Sequence, residues 1–301
     1  MTVKKAFEII SNYERIKTPT EDEDFNYIEA CKFIIEKKSD PYVMLSLGGW
    51  YYEKKHFELA LKYYEMAAVY KLEESYNCLG YIWYYGRTGT VDYEKAFKYF
   101  SLAADAGIEE AIYKVADMYK NGYFVEKNYE KYTEIIEKLW DDIKNNRKLY
   151  SSVPSVAIRL GKIRKDQERF EEAAELFIYA KDFLAQKLKY NAFFGNITNM
   201  KWAVEELYKV VEFDVFSFDL YDLFYLLKGP EIYKVNFILG GEIQTVENFA
   251  EEDGTISVKY NDTWFRSPVD FFLKATYRGE RLTALYRQAD LFEIAGRKES
   301  L

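Results

Sequence analysis

A pattern of small and aromatic residues returns along this chain at a step of 36 residues, and that step limits the possible folds more than any other feature. Leu47, Gly48 and Tyr51 precede Ala60, Tyr64 and Ala67, while Leu79, Gly80 and Trp83 precede Ala96, Phe100 and Ala103. Ala60 to Ala96 spans 36 residues, and so does Ala96 to Tyr132, where Val115, Ala116 and Tyr119 lead into Tyr132, Ile136 and Leu139. A further set, Leu160 and Gly161 followed by Ala173, Phe177 and Ala180, resumes after an insertion. Self-similarity of this length marks a stack of helix pairs in which no pair buries its apolar face alone. The Gly or Ala of the first helix and the two Ala of the second are points of close approach. Tyr51, Trp83 and Tyr119 fill the space beside them with large apolar area.

The order Leu-Gly, aromatic, then Ala, aromatic, Ala resembles the tetratricopeptide repeat. The second unit, with Gly86 to Asp92 between its helices and Ala103-Ala104 before Gly107, resembles the Sel-one-like subclass. The resemblance covers about Pro41 to Ala180 and implies a mainly α fold: a right-handed α-α superhelix of helix-turn-helix repeats. Tyr132 and Leu139 stand where Ala is expected and Arg164 replaces a first-helix aromatic, so altered curvature is expected in the third and fourth units. The family further implies a non-enzymatic scaffold that holds a protein or peptide on its concave face.

In this family the concave face comes from the first helix of each pair, on the side away from the Leu-Gly-aromatic positions. Carried over, that implies Tyr42, Leu45 and Tyr52 in the first unit and Asn77, Tyr81, Tyr84 and Tyr85 in the second. Glu110, Tyr113, Asp117 and Lys120 follow in the third, and Lys162 and Lys165 in the fourth. Six of these are tyrosines, which combine apolar area with a polar tip at low entropic cost and suit recognition. The carboxylate clamp of some tetratricopeptide modules needs Lys, Asn and Arg at positions occupied here by Leu45, Gly49, Cys78, Glu110 and Lys114. Only Lys114 has the required charge, so the clamp pattern is not met.

Before the repeats, Val3 to Lys17 and Asp22 to Lys38 have helical spacing, with stripes of Phe7, Ile10 and Tyr13 and of Phe25, Ile28, Cys31 and Ile35. This pair, residues 1–40, is expected to cover the exposed first face of the stack, and the array with its following helices to run over 41–212. Phe183 to Phe194 continues helically, and Thr198 or Asn199 is placed to cap a helix to about Val211. Gly229-Pro230 then reads as a stop, and the period changes to two: Tyr233, Val235, Phe237 and Leu239 alternate, Gly240-Gly241 suits a hairpin turn, and Ile256, Val258 and Tyr260 alternate again. Ser267-Pro268 opens a helix over Val269 to Tyr277; Leu282, Leu285, Tyr286 and Ala289 keep helical spacing; Leu291 to Ala295 reads as a closing strand. Residues 213–301 are therefore expected to form a small α+β domain with an antiparallel sheet.

Charge excludes some partners. The net charge is -8, carboxylates outnumber cations on both sides of residue 213, and neither nucleic acid nor an anionic membrane is an expected partner. The amino terminus lacks a signal-like apolar run, and Cys31 and Cys78 suggest no disulfide framework, which together point to a cytoplasmic protein, and a bacterial-type adaptor is the version expected. Catalytic patterns are sparse: His56 is the only histidine, no phosphate-binding loop or nucleophile elbow occurs, and no cofactor or metal is expected. A binding scaffold or adaptor, with an inhibitor or immunity protein as one version, is the expectation. The alternative is a ligand sensor or enzyme with a pocket between the carboxy-terminal domain and the last helices, using Asp270, Arg266 or Tyr260.

Overall fold

The computed structural model describes residues 1–16, 19–145, 152–190, 192–228 and 232–296. The chain divides into two compact units at residues 139 and 140. The first begins with helices α1 (Val3–Tyr13) and α2 (Glu21–Lys38), each opened by a threonine: Thr2 accepts from the Lys5 N–H, and Thr20 forms a reciprocal capping box with Glu23. The expected stripes are shifted. Ala6 and Ile10 are buried on α1, and Tyr27, Ala30, Cys31 and Ile34 on α2, while Phe7 and Phe25 are exposed. Apolar residues surround much of α2, so spacing alone leaves the buried face undecided. Helix α1 ends at Tyr13, before the expected Lys17, which lies outside the described residues.

Helix α3 (Pro41–Glu53) starts on an Asp40 cap with proline in its first turn. Its Val43, Leu47 and Tyr51 join the α1 and α2 residues in one hydrophobic cluster, so the amino-terminal pair covers the first repeat. A polar link runs beside that cluster: the Trp50 indole donates to the Tyr13 hydroxyl at 2.8 Å, Tyr13 donates to Asp24, and Lys54 pairs with Asp24 at 2.7 Å.

The pairs continue as α3 with α4 (Phe57–Val69), α5 (Glu73–Tyr84) with α6 (Tyr93–Asp105), and α7 (Glu109–Asn121) followed by α8 (Tyr129–Asn145). The defining contact of the first two pairs is a glycine under an aromatic ring. A Cβ on Gly48 would lie 2.6 Å from Tyr64, and one on Gly80 would lie 2.5 Å from Phe100. Ala60, Ala67, Ala96 and Ala103 flank these contacts and are fully buried. In the third unit the first helix carries Ala116, and Tyr132, Ile136 and Leu139 of α8 are buried.

The second unit contains α9 (Val153–Asp166), α10 (Phe170–Leu188) and α11 (Phe194–Leu207). Gly161 repeats the close contact, since a Cβ there would lie 2.5 Å from Phe177. Helix α10 stops at Leu188, short of the expected Phe194, and α11 starts at Phe194 rather than at Thr198 or Asn199. Thr198 lies inside α11 and donates to the Phe194 carbonyl at 2.9 Å. After short turns over 215–222 and the single-turn α12 (Leu223–Leu226) comes the sheet; Gly229-Pro230 lies outside the described residues.

Strands β1 (Ile232–Leu239), β2 (Glu242–Ala250), β3 (Ile256–Tyr260) and β4 (Thr263–Phe265) form an antiparallel meander, and β7 (Ala289–Gly296) pairs with β1 from the other side. The order is β4-β3-β2-β1-β7. Gly240 and Gly241 both adopt positive φ, the conformation a two-residue hairpin favours. Val235, Phe237, Val246 and Val258 face α10, α11 and α13 (Pro268–Lys274) in one core with Leu184, Ile197, Val204, Phe271 and Phe272.

Two expectations fail here. Helix α13 ends at Lys274, and Thr276-Tyr277 becomes β5, paired with β6 (Glu280–Arg281). Residues 282–289 are not a helix. Leu282 donates its N–H to the Ala275 carbonyl at 3.1 Å and the Tyr286 carbonyl accepts from Leu220 at 3.1 Å, so the backbone bonds outward and only one 3-10 turn forms.

The glycine contact generates a paired expectation. Gly80→Val places a side chain inside Phe100 and should destabilise the protein by about 1–3 kcal/mol. Gly49→Ala meets nothing nearer than the Tyr64 hydroxyl at 4.0 Å, and should be neutral or stabilising by up to about 1 kcal/mol because alanine favours helix. Urea titration of both variants checks this; equal midpoints would refute the contact.

Candidate functional site

Three of the implied binding residues, Asn77, Tyr81 and Tyr113, are drawn together around one carboxylate. Glu110, in the first turn of α7, accepts from Asn77 Nδ2 at 2.9 Å, from the Tyr81 hydroxyl at 2.8 Å and from the Tyr113 hydroxyl at 3.1 Å. Asn77 and Tyr81 lie four residues apart on α5, on one helical face, which lets both reach the same acceptor. Burial, then the neighbouring Tyr113 and Glu110, push the Tyr81 hydroxyl well above the ordinary tyrosine range, so it remains a donor. The Asn77 side-chain oxygen is buried and has no partner among the described residues.

Beside this carboxylate the face is aromatic and cationic. Lys114, buried on α7, donates to the Tyr85 hydroxyl at 3.3 Å, and its ammonium lies 5.1 Å from the ring centres of Tyr81 and Tyr84 and 5.4 Å from that of Tyr85. Tyr81 and Tyr85 stack at 5.9 Å, and Tyr84 meets Tyr85 edge to face at 4.9 Å. Arg87, in the loop after α5, donates to the Tyr52 hydroxyl at 3.0 Å and sits 5.0 Å from the Tyr85 ring and 5.6 Å from that of Tyr52. Tyr52, Arg87, Tyr85, Lys114, Tyr81 and Glu110 are thus linked in sequence across three helices. Neither Arg87 nor Lys114 forms an ion pair among the described residues.

The remaining implied residues lie around or apart from this row. Tyr42 is exposed at the start of α3, and Leu45 packs partly buried against the neighbouring clusters. Asp117 is half-buried and its charge helps raise the Tyr84 hydroxyl, after burial; Lys120 lies 5.0 Å from the Tyr132 ring. Lys162 and Lys165 belong to the second unit, where they converge with Lys209 on Glu206 at 3.6, 2.5 and 2.6 Å. No spacing rule points to Arg87 or Glu206. Arg87 sits in an inter-helix loop, and Glu206 is one acidic residue among many.

Other candidate chemistry is occupied by structure. Lys181 pairs with the fully buried Asp222 at 2.6 Å and with Asp219 at 3.1 Å, and Tyr208 donates to Asp222 at 2.9 Å. Burial and the Asp222 charge push Asp219 up to about 6. His56 is an exposed residue at the start of α4. Cys31 and Cys78 are free thiols, and burial pushes both up to about 12. Among the described residues no group of three His, Cys, Asp or Glu side chains could hold a metal, and no helix is long and apolar enough to cross a membrane. Tyr260 and Asp270 of the alternative reading do line a cleft of about 420 Å³, bounded by β3, β4, α13 and β5. Tyr260 donates to Gln244 at 2.7 Å and Asp270 pairs with Lys274 at 2.6 Å, so both polar groups have partners.

The Glu206 cluster carries a pH signature. Burial alone would raise this carboxyl, but hydrogen bonds from Lys165 and Lys209 and the charge of Lys162 bring it down from 4.5 to about 2. Its stabilising contribution is therefore present above pH 4.5 and lost as the pH falls toward 2. Glu206→Gln should lower stability by about 2 kcal/mol at neutral pH, and the difference in urea midpoint from wild type should shrink across that acidic window. A difference independent of pH would exclude the cluster as its source.

The Sel1 repeat family matches residues 44–68, 74–108 and 109–131. No curated protein matches the chain. Among solved structures, a Sel1 repeat protein from Oxalobacter formigenes superposes with a TM-score of 0.48 at 17% identity, covering 68% of this chain and 76% of that one. The protective antigen c5321 of uropathogenic Escherichia coli, described as displaying an SLR fold, superposes with a TM-score of 0.50 at 19% identity, covering 71% of this chain and 51% of that one. Residues 44–131 are an array of Sel1 repeats.

Proposed function

We propose that the chain is a non-enzymatic scaffold that binds a protein or peptide across the first helices of its Sel1 repeats. The observation that carries this reading is the linked row from Tyr52 through Arg87, Tyr85, Lys114 and Tyr81 to Glu110. Its side chains hold one another in place, which lowers the entropy lost when a partner is bound. Tyr85, half exposed within the row, offers a ring face and a hydroxyl, the combination that dominates recognition surfaces. Arg87 and Lys114 add positive charge that the row does not neutralise by ion pairing, so the partner segment presents an acidic side chain to the Arg87 end. Tyr42, Leu45, Asp117 and Lys120 extend the surface, while Lys162 and Lys165 form a separate patch whose charges are paired with Glu206.

The test is site-specific photo-crosslinking from position 85 in host cells, with the cross-linked partner identified and then purified. Purified partner should bind wild type, and Arg87→Glu and Tyr81→Phe with Asn77→Ala should each weaken it by about 1–3 kcal/mol. Unchanged affinity in both variants would remove the row from the binding surface.

A further inference from the structure

We infer that the two carboxylates of the 219–222 turn form a proton-binding site, through which mild acid tightens the hold of that turn on α10 and α11. Asp219 and Asp222 share a single cation. The Lys181 ammonium of α10 lies 3.1 Å from the first and 2.6 Å from the second, and no other ion pair reaches either one among the described residues. The Asp222 side chain is fully buried, and those of Lys181 and Asp219 are 12% and 18% exposed. With both carboxylates ionised, the site holds one negative charge more than its ammonium balances, and a net charge kept from water is costly. Glu206 has the opposite stoichiometry, one carboxylate among three ammoniums, and its carboxyl is brought down.

Hydrogen bonds occupy every carboxylate oxygen without removing that charge. Asp219 Oδ1 accepts from the Tyr221 N–H at 2.9 Å while its Oδ2 faces Lys181. Asp222 Oδ1 accepts from Lys181 and from the Tyr208 hydroxyl at 2.9 Å, and its Oδ2 accepts from the Asp219 N–H at 2.8 Å. The other ionisable groups packed around the turn are tyrosines: Tyr208 on α11, Tyr221 itself, Tyr225 on α12 with its ring 4.6 Å from that of Tyr208, and Tyr286 with its ring 5.2 Å from that of Tyr221. Lys189 and Arg287 sit 5.7 and 5.3 Å from the Tyr286 ring, and Arg287 pairs with Asp182 at 3.3 Å. Asp219 is the place for the balancing proton. It is the carboxylate that solvent reaches, and once protonated it still accepts from Tyr221 while Asp222 keeps both Lys181 and Tyr208. Burial, and then the Asp222 charge, push the Asp219 carboxyl from 3.8 up to about 6. The folded chain therefore holds this proton more tightly than the unfolded one, so the stabilising contribution grows as the pH falls through 6 and is complete below 3.8.

The experiment titrates the full chain by NMR, isotope-labelled at its aspartate carboxyls and assigned through bonds in the wild-type protein. The Asp219 carboxyl should titrate near pH 6. Asp219→Asn keeps an oxygen for the Tyr221 N–H and carries no charge, so its urea midpoint should exceed that of wild type at about pH 7.5, by a margin that shrinks at about pH 4.5. Hydrogen exchange at the Tyr221 amide, corrected for its intrinsic rate, should slow in wild type over the same fall in pH and not in the variant. An Asp219 carboxyl that titrates below about pH 5, or a variant midpoint that differs from wild type by the same margin at both pH values, would overturn the assignment. The carboxyl titration is read on the wild-type chain, so it decides the matter even if the variant does not fold.

Discussion

Three of the close-packed helix pairs depend on a place where one helix has no side chain. Gly48, Gly80 and Gly161 let Tyr64, Phe100 and Phe177 lie directly on the neighbouring backbone. This contact fixes both how near the helices come and which way each is rotated, because a turn of either helix would bring a side chain into the ring. Rotation of α5 about its axis is thereby set by Gly80, and the same rotation places Asn77 and Tyr81 where Glu110 can receive them. The packing contact and the candidate site are two sides of one helix orientation.

The bonds that assemble the row also run between repeats rather than within them. Arg87 meets Tyr52 across 35 positions, Asn77 meets Glu110 across 33, and both Tyr81 with Glu110 and Lys114 with Tyr85 span 29. In a stacked array each unit gains stability chiefly from its neighbours, and here polar contacts along the first helices reinforce the apolar contacts of the pairs. A surface made this way is ordered only when adjacent repeats are in register.

This explains what could be read from the residues in order. The 36-residue step, the small residues at Ala60, Ala96 and Gly80, and the alternation of Val235, Phe237 and Leu239 are local regularities, and each has a direct structural counterpart. The convergence on Glu110 depends on the lateral offset between α5 and α7, which no local pattern encodes. Phase was also hidden wherever apolar residues encircle a helix, as on α2, where Tyr27 and Ile34 are buried instead of Phe25. The segment 282–289 had helical spacing because its apolar residues pack on the core, yet its backbone groups bond to Ala275 and Leu220. Spacing reports which side chains are buried and leaves open where the backbone bonds go.

The change of period near residue 213 marks a change in secondary structure within a continuous core, since Leu184, Ile197 and Val204 pack with Val235, Phe237 and Phe272. The connecting residues 213–227 are rich in Phe, Leu and Tyr, and apolar contacts of that kind tolerate many similar seatings. The half-buried Lys181 discriminates among them. It reaches Asp222 and Asp219 only when the turn over 219–222 sits against one particular stretch of α10, and Tyr208 must approach from α11 to complete the Asp222 shell. Any slide of the segment would leave buried carboxylates without their ammonium, at a cost of about 3–5 kcal/mol, while losing little apolar contact. Charge, rather than hydrophobic burial, thus selects the seating through which the helices carry the sheet.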